Sequence, residues 1–277
     1  MNDLMTRSVT GLVYIGIIVG AILCGASWVL ALAIFFSFLG VSEFLAMTGA
    51  RKTKRVTWAL DVLGAVILTG GIGVLCMPQI NTGIILLIIV WFIWLLGRMI
   101  VELYVTDGNP LLNLSLALTA QLYIALPLGL MNFIYGVEPA LLMLMFILIW
   151  LNDTGAYIIG CKFGKHRLFE RISPKKSWEG FFGGLVFTVG GAIAAHFIFP
   201  HWFGHLMPWL GWALFGLIIC GFSTWGDLVE SLIKRTVGVK DSGSLMPGHG
   251  GILDRIDSLL FVTPATLLFL LILDTMK

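Results

Sequence analysis

Residues 83–101 read GIILLIIVWFIWLLGRMIV, with no charge from Gly83 to Gly97 and a single arginine, Arg98, near the end. A helix of that length measures about 28 Å at 1.5 Å per residue, close to the roughly 30 Å of hydrocarbon in a bilayer. Runs of similar length and character recur on both sides of it. Of the 277 residues 58% are hydrophobic and only 12% charged, against about 25% charged in an ordinary soluble domain. That composition excludes a soluble globular fold. The expected architecture is all-α, a polytopic integral membrane helical bundle forming a single transmembrane domain over residues 1–277. Breaks at Gly, Pro, Asn and charge clusters place about nine helices, at roughly 8–24, 27–48, 57–77, 83–101, 112–132, 139–161, 180–199, 209–234 and 255–275.

The four cysteines are scattered through apolar segments without CxxC spacing, so neither a disulfide framework nor a zinc site is implied. The first apolar run follows Arg7 and lacks a small-residue cleavage site before a soluble domain. It reads as a first span and not as a removable signal peptide. A net charge of +2 says nothing about partners, but the placement of the charge does. With nine spans, every Lys and Arg except Lys277 falls in the N-terminal segment, in loops after even-numbered helices or at the span ends that border those loops. The opposite loops, around residues 77–82, 131–138 and 200–208, contain none. The positive-inside rule then assigns the basic side to the cytoplasm.

Carboxylates within spans cost about 2.5–3.5 kcal/mol at mid-helix and need a partner or a purpose. Asp153, in WLNDTGAY, and Asp227, in STWGDLVES, each lie about two turns before the cytoplasmic end of a helix. They are expected either to line one cavity open to the cytosol or to knot two helices together. Asp227, Glu230, Ser231 and Lys234 share one face of the eighth helix through i, i+3, i+4, i+7 spacing. Asp254, Asp257 and Ser258 repeat the pattern at the start of the ninth. The helix dipole alone would favour that acidic pair, but it does not supply the bases beside it.

Those bases stand in SLIKRTVGVKDSGSLMPGHGGILDRIDSLLF, residues 231–261, which holds Lys234, Arg235, Lys240, Asp241 and Arg255. Hard cations such as Mg2+ take carboxylate oxygens and often share a site with phosphates, while Lys and Arg neutralise the remaining phosphate oxygens. The pattern therefore suits a metal–polyphosphate site better than a solvated loop. Gly243, Gly248, Gly250 and Gly251 would let backbone N–H groups approach phosphate, and His249 could donate to it or serve only the loop. A second basic loop on the same side carries Lys175, Lys176, Ser177 and Glu179 around Pro174. For Lys165 and Arg167, anchoring to anionic lipid is the plainer reading. His201 and His205 sit among outer-loop tryptophans and read as interfacial. Glu43, Asp61, Glu102 and Asp107 are expected to balance nearby bases at helix ends.

The segment from Ser231 to Asp257 resembles the signature of the phosphatidate cytidylyltransferases, the CDP-diacylglycerol synthases. The matching positions are Ser231, Lys234-Arg235, Lys240-Asp241, Gly243, Pro247, His249-Gly250-Gly251, Asp254-Arg255 and Asp257. Met246 departs from the family's habit of an aliphatic residue or Phe. Likeness extends through NDTGAY (Asn152–Tyr157) and ISPKKSWEG (Ile172–Gly180), and is only general before residue 130. The resemblance implies transfer of CMP from CTP to phosphatidate with Mg2+, giving CDP-diacylglycerol and pyrophosphate, in an inner-membrane protein whose site faces the cytoplasm. The catalytic site would lie in the C-terminal half, about 139–275. Asp227 and Asp254, with Asp257 beside them, would be the metal ligands. Lys234, Arg235, Lys240 and Arg255 would hold the triphosphate, and Asp241 and His249 would complete the catalytic set. Lys175, Lys176 and Ser177 would bind the lipid phosphate, with Ser231, Gly250, Gly251 and Asp153 also contacting substrate. The expected partners are CTP and the membrane lipid phosphatidate, with a homodimer allowed and no nucleic acid. Two other readings stay open: a CTP-dependent lipid kinase, and a transporter using Asp153 and Asp227 as an ion relay.

Overall fold

The computed structural model describes residues 3–49, 55–76, 83–106, 108–245 and 250–275, with only the backbone of residues 3–8. Helices dominate: α1 (Asp3–Cys24), α2 (Ala26–Met47), α3 (Arg55–Leu75), α4 (Gly83–Glu102), α5 (Pro110–Ala120), α6 (Leu126–Val137), α7 (Pro139–Phe163), α8 (Trp178–Ile198), α9 (Pro200–Phe203), α10 (Trp209–Thr236) and α11 (Leu253–Thr275). A π-helical turn, Gln121–Ala125, joins α5 to α6, so that Pro110–Val137 forms one continuous span. Among the described residues, eight helices are long and apolar enough to cross a membrane, and α1 contributes a shorter apolar stretch, Val9–Cys24. The protein is a multi-pass membrane protein with a helical fold, as its composition implies.

Helix ends follow local chemistry. Gly25, at φ +116°, breaks α1 from α2 in a backbone conformation that favours glycine. Asn109 caps α5 by accepting from Leu111 and Leu112, and Ser177 caps α8 by accepting from Gly180 at 3.1 Å. The expected end of the fifth span at 132 falls short. The Asn132 amide donates to the Gly129 carbonyl at 3.1 Å, and α6 continues to Val137. Two elements were not expected: α9 in the 200–208 segment, and a hairpin of β1 (Arg167–Phe169) with β2 (Ser173–Ser177) in the second basic loop.

The chain divides into two compact units. The first comprises residues 1–136 and 237–256. Its core includes Ile18, Phe44, Leu45, Ile124, Leu128 and Met131, all fully buried. A buried polar cluster ties three of its helices. Arg98 Nε lies 2.7 Å from Asp61 Oδ1 and its Nη1 2.6 Å from Glu102 Oε2, while Asn113 donates to Glu102 Oε1 at 2.7 Å. Asp61 and Glu102 thus balance a base, as expected of helix-end acids.

The second unit comprises residues 137–236 and 257–277. Glycines set its helix spacings. A Cβ at Gly183 of α8 would lie 2.9 Å from the Gly155 carbonyl of α7, and one at Gly155 would lie 2.9 Å from that of Gly183. A Cβ at Gly216 of α10 would lie 2.7 Å from Val189 Cα of α8. Such small-residue contacts are how helices approach closely where no hydrophobic drive between them exists.

Candidate functional site

In the second unit, α10 presents the polar face that its spacing predicts. Ser231 Oγ donates to Asp227 Oδ1 at 3.2 Å, and Lys234 Nζ lies 2.5 Å from Glu230 Oε2, each pair one turn apart. Glu230 is fully buried and Lys234 nearly so. The start of α11 reaches this face because position 226 is glycine: a Cβ there would lie 2.7 Å from the Asp257 carbonyl oxygen. Ser258 Oγ donates to the Ser223 carbonyl at 3.1 Å and holds the same approach. As a result, oxygens of Asp227, Glu230 and Asp257 all lie within 4.8 Å of one another.

Three carboxylates this close repel one another unless cations intervene. Lys234 answers Glu230, and Lys176 Nζ of β2 contacts Asp227 Oδ2. The donor set is all oxygen, which suits a hard divalent cation such as Mg2+. Glu230 is the member that sequence reading leaves out of the ligand set. Its i, i+3 relation to Asp227 was the available signal.

Lys176 is delivered by the hairpin. β1 and β2 pair antiparallel, with Arg167 opposite Ser177 and Phe169 opposite Ser173. The hairpin is tethered at its base by Glu179, the first-turn acid of α8. That carboxylate accepts from the backbone N–H of Lys165 at 3.1 Å and of His166 at 3.2 Å, and lies 2.6 Å from His166 Nδ1. Beside the hairpin is a cavity of about 580 Å³ lined by Asp153, Arg167, Lys175, Lys176, Ser177 and Asp227, with Tyr157, Leu168 and Phe181 among its apolar walls. Asp153 and Asp227 therefore share one cavity. Arg167, read from sequence as a lipid anchor, lines it as well.

The first unit holds the other part of the signature: Lys240, Asp241, Gly250, Gly251, Asp254 and Arg255. Lys240, Asp241 and Arg255 are exposed, as is Arg235 on α10 of the second unit. Asp254 faces its own loop. Its Oδ2 accepts from the backbone N–H of Ser242 at 3.0 Å, from Ser242 Oγ at 3.0 Å and from the backbone N–H of Gly251 at 2.8 Å. Reaching back to an N–H before the helix start, it acts as a capping-box acid does. The Gly251 N–H, expected to be free for phosphate, is given to this carboxylate. Arg255 contributes its carbonyl, which accepts from Tyr14 OH at 3.0 Å. His249, with Met246, Pro247 and Gly248, lies outside the described residues.

Glu43 of α2 was expected to balance a nearby base. It accepts from the backbone N–H groups of Ile252 at 3.0 Å and Leu253 at 2.9 Å, and its Oε2 lies 3.2 Å from Ser242 Oγ. Its partners are 199 to 210 residues away in sequence, beyond the reach of any local pattern.

A model of the Cytidylyltransferase family matches residues 5–273 of the chain. Among curated proteins, the chain is 47% identical over 130 residues to a phosphatidate cytidylyltransferase of Staphylococcus epidermidis, covering 47% of this chain and 48% of that one. A protein of the same name from Haemophilus influenzae is 42% identical over 165 residues, 56% of each chain. Another from Staphylococcus haemolyticus is 50% identical over 119 residues, 43% of this chain and 44% of that one. The chain spans about half the length of the curated relatives it matches.

Proposed function

Because the chain belongs to the cytidylyltransferase family, we propose that it transfers the cytidylyl group of CTP to phosphatidate, forming CDP-diacylglycerol and releasing pyrophosphate. The observation that carries this reading is the cavity of the second unit. It joins three cations, Arg167, Lys175 and Lys176, to Asp227 of the carboxylate cluster within a membrane-spanning fold. A lipid phosphate confined to the membrane needs cations at the headgroup level, and the acid cluster needs a hard cation that polyphosphates also bind. The curated relatives' shared name supports the same substrates.

In this reaction a phosphate oxygen of phosphatidate bonds to the α-phosphorus of CTP, and the bond from that phosphorus to the oxygen bridging to the β-phosphate breaks. The nucleophile is already an anion, so no strong general base is required. The protein supplies alignment and charge neutralisation. Lys175, Lys176 and Arg167 hold the lipid phosphate, with Ser177 fixing the start of α8 beside them. Asp227, Glu230 and Asp257 would hold Mg2+, which when bound supplies positive charge to phosphate oxygens in the transition state. Assignment of Lys234, Arg235, Lys240 and Arg255 to the triphosphate, and of Asp254, Asp241 and His249 to the catalytic set, rests on the signature to which they belong. The one-sided distribution of basic residues supports a site that faces the cytoplasm, by the positive-inside rule, in a protein of the inner membrane.

The deciding assay uses purified protein in detergent with phosphatidate, Mg2+ and CTP labelled at either the α- or the γ-phosphorus. Label from the α position should appear in the lipid and γ label in pyrophosphate. A γ label on the lipid would assign the protein to the lipid kinases, and no transfer of either label would overturn the reading.

A further inference from the structure

We propose that Glu43 of α2 is a positioning residue for the signature loop, acting through Ser242 on Asp254. The inference rests on the cytidylyl-transfer reading, which makes Asp254 a catalytic candidate. A carboxylate in the last two turns of a helix is disfavoured by that helix's dipole, and Glu43 stands four residues before the end of α2 at Met47. Its placement is explained by what it receives. The N–H groups of Ile252 and Leu253 open α11 and have no partner within that helix's own ladder. Glu43 accepts from both, one on each carboxylate oxygen.

The same carboxylate extends to the catalytic candidate. Ser242 Oγ lies 3.2 Å from Glu43 Oε2 and 3.0 Å from Asp254 Oδ2, and Ser242 is buried. One hydroxyl thus stands between two acids from segments far apart in the chain. Two glycines make room for this arrangement. A Cβ at Gly251 would fall 2.3 Å from Glu43 Oε2, and one at Gly243 would fall 2.8 Å from Glu43 Oε1. At 251 a Cβ would meet both the Glu43 carboxylate and Ser242 Oγ, so the absence of a side chain there lets the two lie together. Glu43 touches none of the residues proposed to bind substrate in the cavity; it fixes where the loop and Asp254 stand.

The test compares Glu43→Gln, Ser242→Ala and the double variant in the full-length protein. Glutamine keeps the size of the side chain but offers one acceptor oxygen in place of two. We expect kcat to fall about tenfold in Glu43→Gln, with KM for CTP and for phosphatidate within about twofold of wild type, the signature of an effect on the reacting groups and not on binding. Thermal unfolding in detergent should be little changed. The double variant should be no worse than the poorer single one, because coupled positions are not additive. Hydrogen exchange should rise locally at residues 250–253 in Glu43→Gln. A rise in KM at constant kcat, multiplied losses in the double variant, unchanged turnover, or failure of both single variants to fold would each overturn the proposal. If wild-type protein transfers no cytidylyl label, the reading of the reaction falls. The exchange measurement then still decides whether Glu43 holds the loop, and unchanged exchange at 250–253 would overturn that.

Discussion

Asp254 Oδ2 takes three donors from its own loop, whereas Asp227 meets a serine and a lysine side chain within the second unit. Substituting asparagine separates charge from hydrogen bonding at the two positions. Asparagine keeps one acceptor oxygen and caps helix starts well, so loop closure around residue 254 should survive Asp254→Asn. If the carboxylate charge serves the reaction, turnover should fall by about two orders of magnitude, the effect of losing roughly 2.7 kcal/mol of transition-state stabilisation. We expect that loss in both Asp227→Asn and Asp254→Asn, with each protein still extracting as a folded species. Turnover near wild type in Asp254→Asn, measured at limiting Mg2+, would restrict that residue to holding its loop. Residue-scale legibility was uneven. Asp227 and Asp257 were readable because helical spacing and an apolar background expose an acid as costly. Glu43 was not, because nothing near it in sequence names its partners.

At the scale of elements, glycines on α10 decide what the helix can approach. Gly226 admits Asp257 and Ser258 of α11 and Gly216 admits α8, each against backbone atoms that cannot swing away. Alanine at either position should destabilise the protein by about 1–3 kcal/mol through overpacking. Only Gly226→Ala should also displace Asp257 from Asp227 and Glu230. The expected result is a matched drop in melting temperature for the two variants, with turnover per folded molecule reduced at least tenfold in Gly226→Ala alone. Equal turnover in both would mean that the carboxylate cluster tolerates the shift. Among the described residues, the long helices were legible because apolar runs, and the Gly, Pro and Asn breaks between them such as Gly25, announce them. The β1–β2 hairpin was hidden because its strands are short, charged and without apolar alternation. What forms it is the tether of Glu179 to Lys165 and His166, an interaction across 13 and 14 residues.

For the whole molecule, the one-sided distribution of Lys and Arg makes a sidedness prediction. In a background with the four native cysteines replaced, single cysteines at Lys165 and at the exposed Ser244 should react with a membrane-impermeant reagent only from the cytosolic face, and one at Gly204 only from the opposite face. Reaction of the Ser244 position from outside would place the signature away from cytosolic CTP and sink the proposed reaction. Two basic residues counted in that distribution are buried, Lys234 and Arg98. Arg98 is only 3% exposed, and its partner Glu102 stands one turn along the same helix. Among the described membrane-length helices α4 has the most apolar 18-residue window, at a mean hydropathy of 2.7, and it carries its own counter-ion. During biosynthesis α4 can pass from the translocation channel into lipid as a neutral segment, before α5 has been made and Asn113 can join the cluster. An isolated arginine would cost about 2.5–3.5 kcal/mol at that step. The pair thus bears on how efficiently the chain is inserted, a demand separate from anything asked of the finished protein.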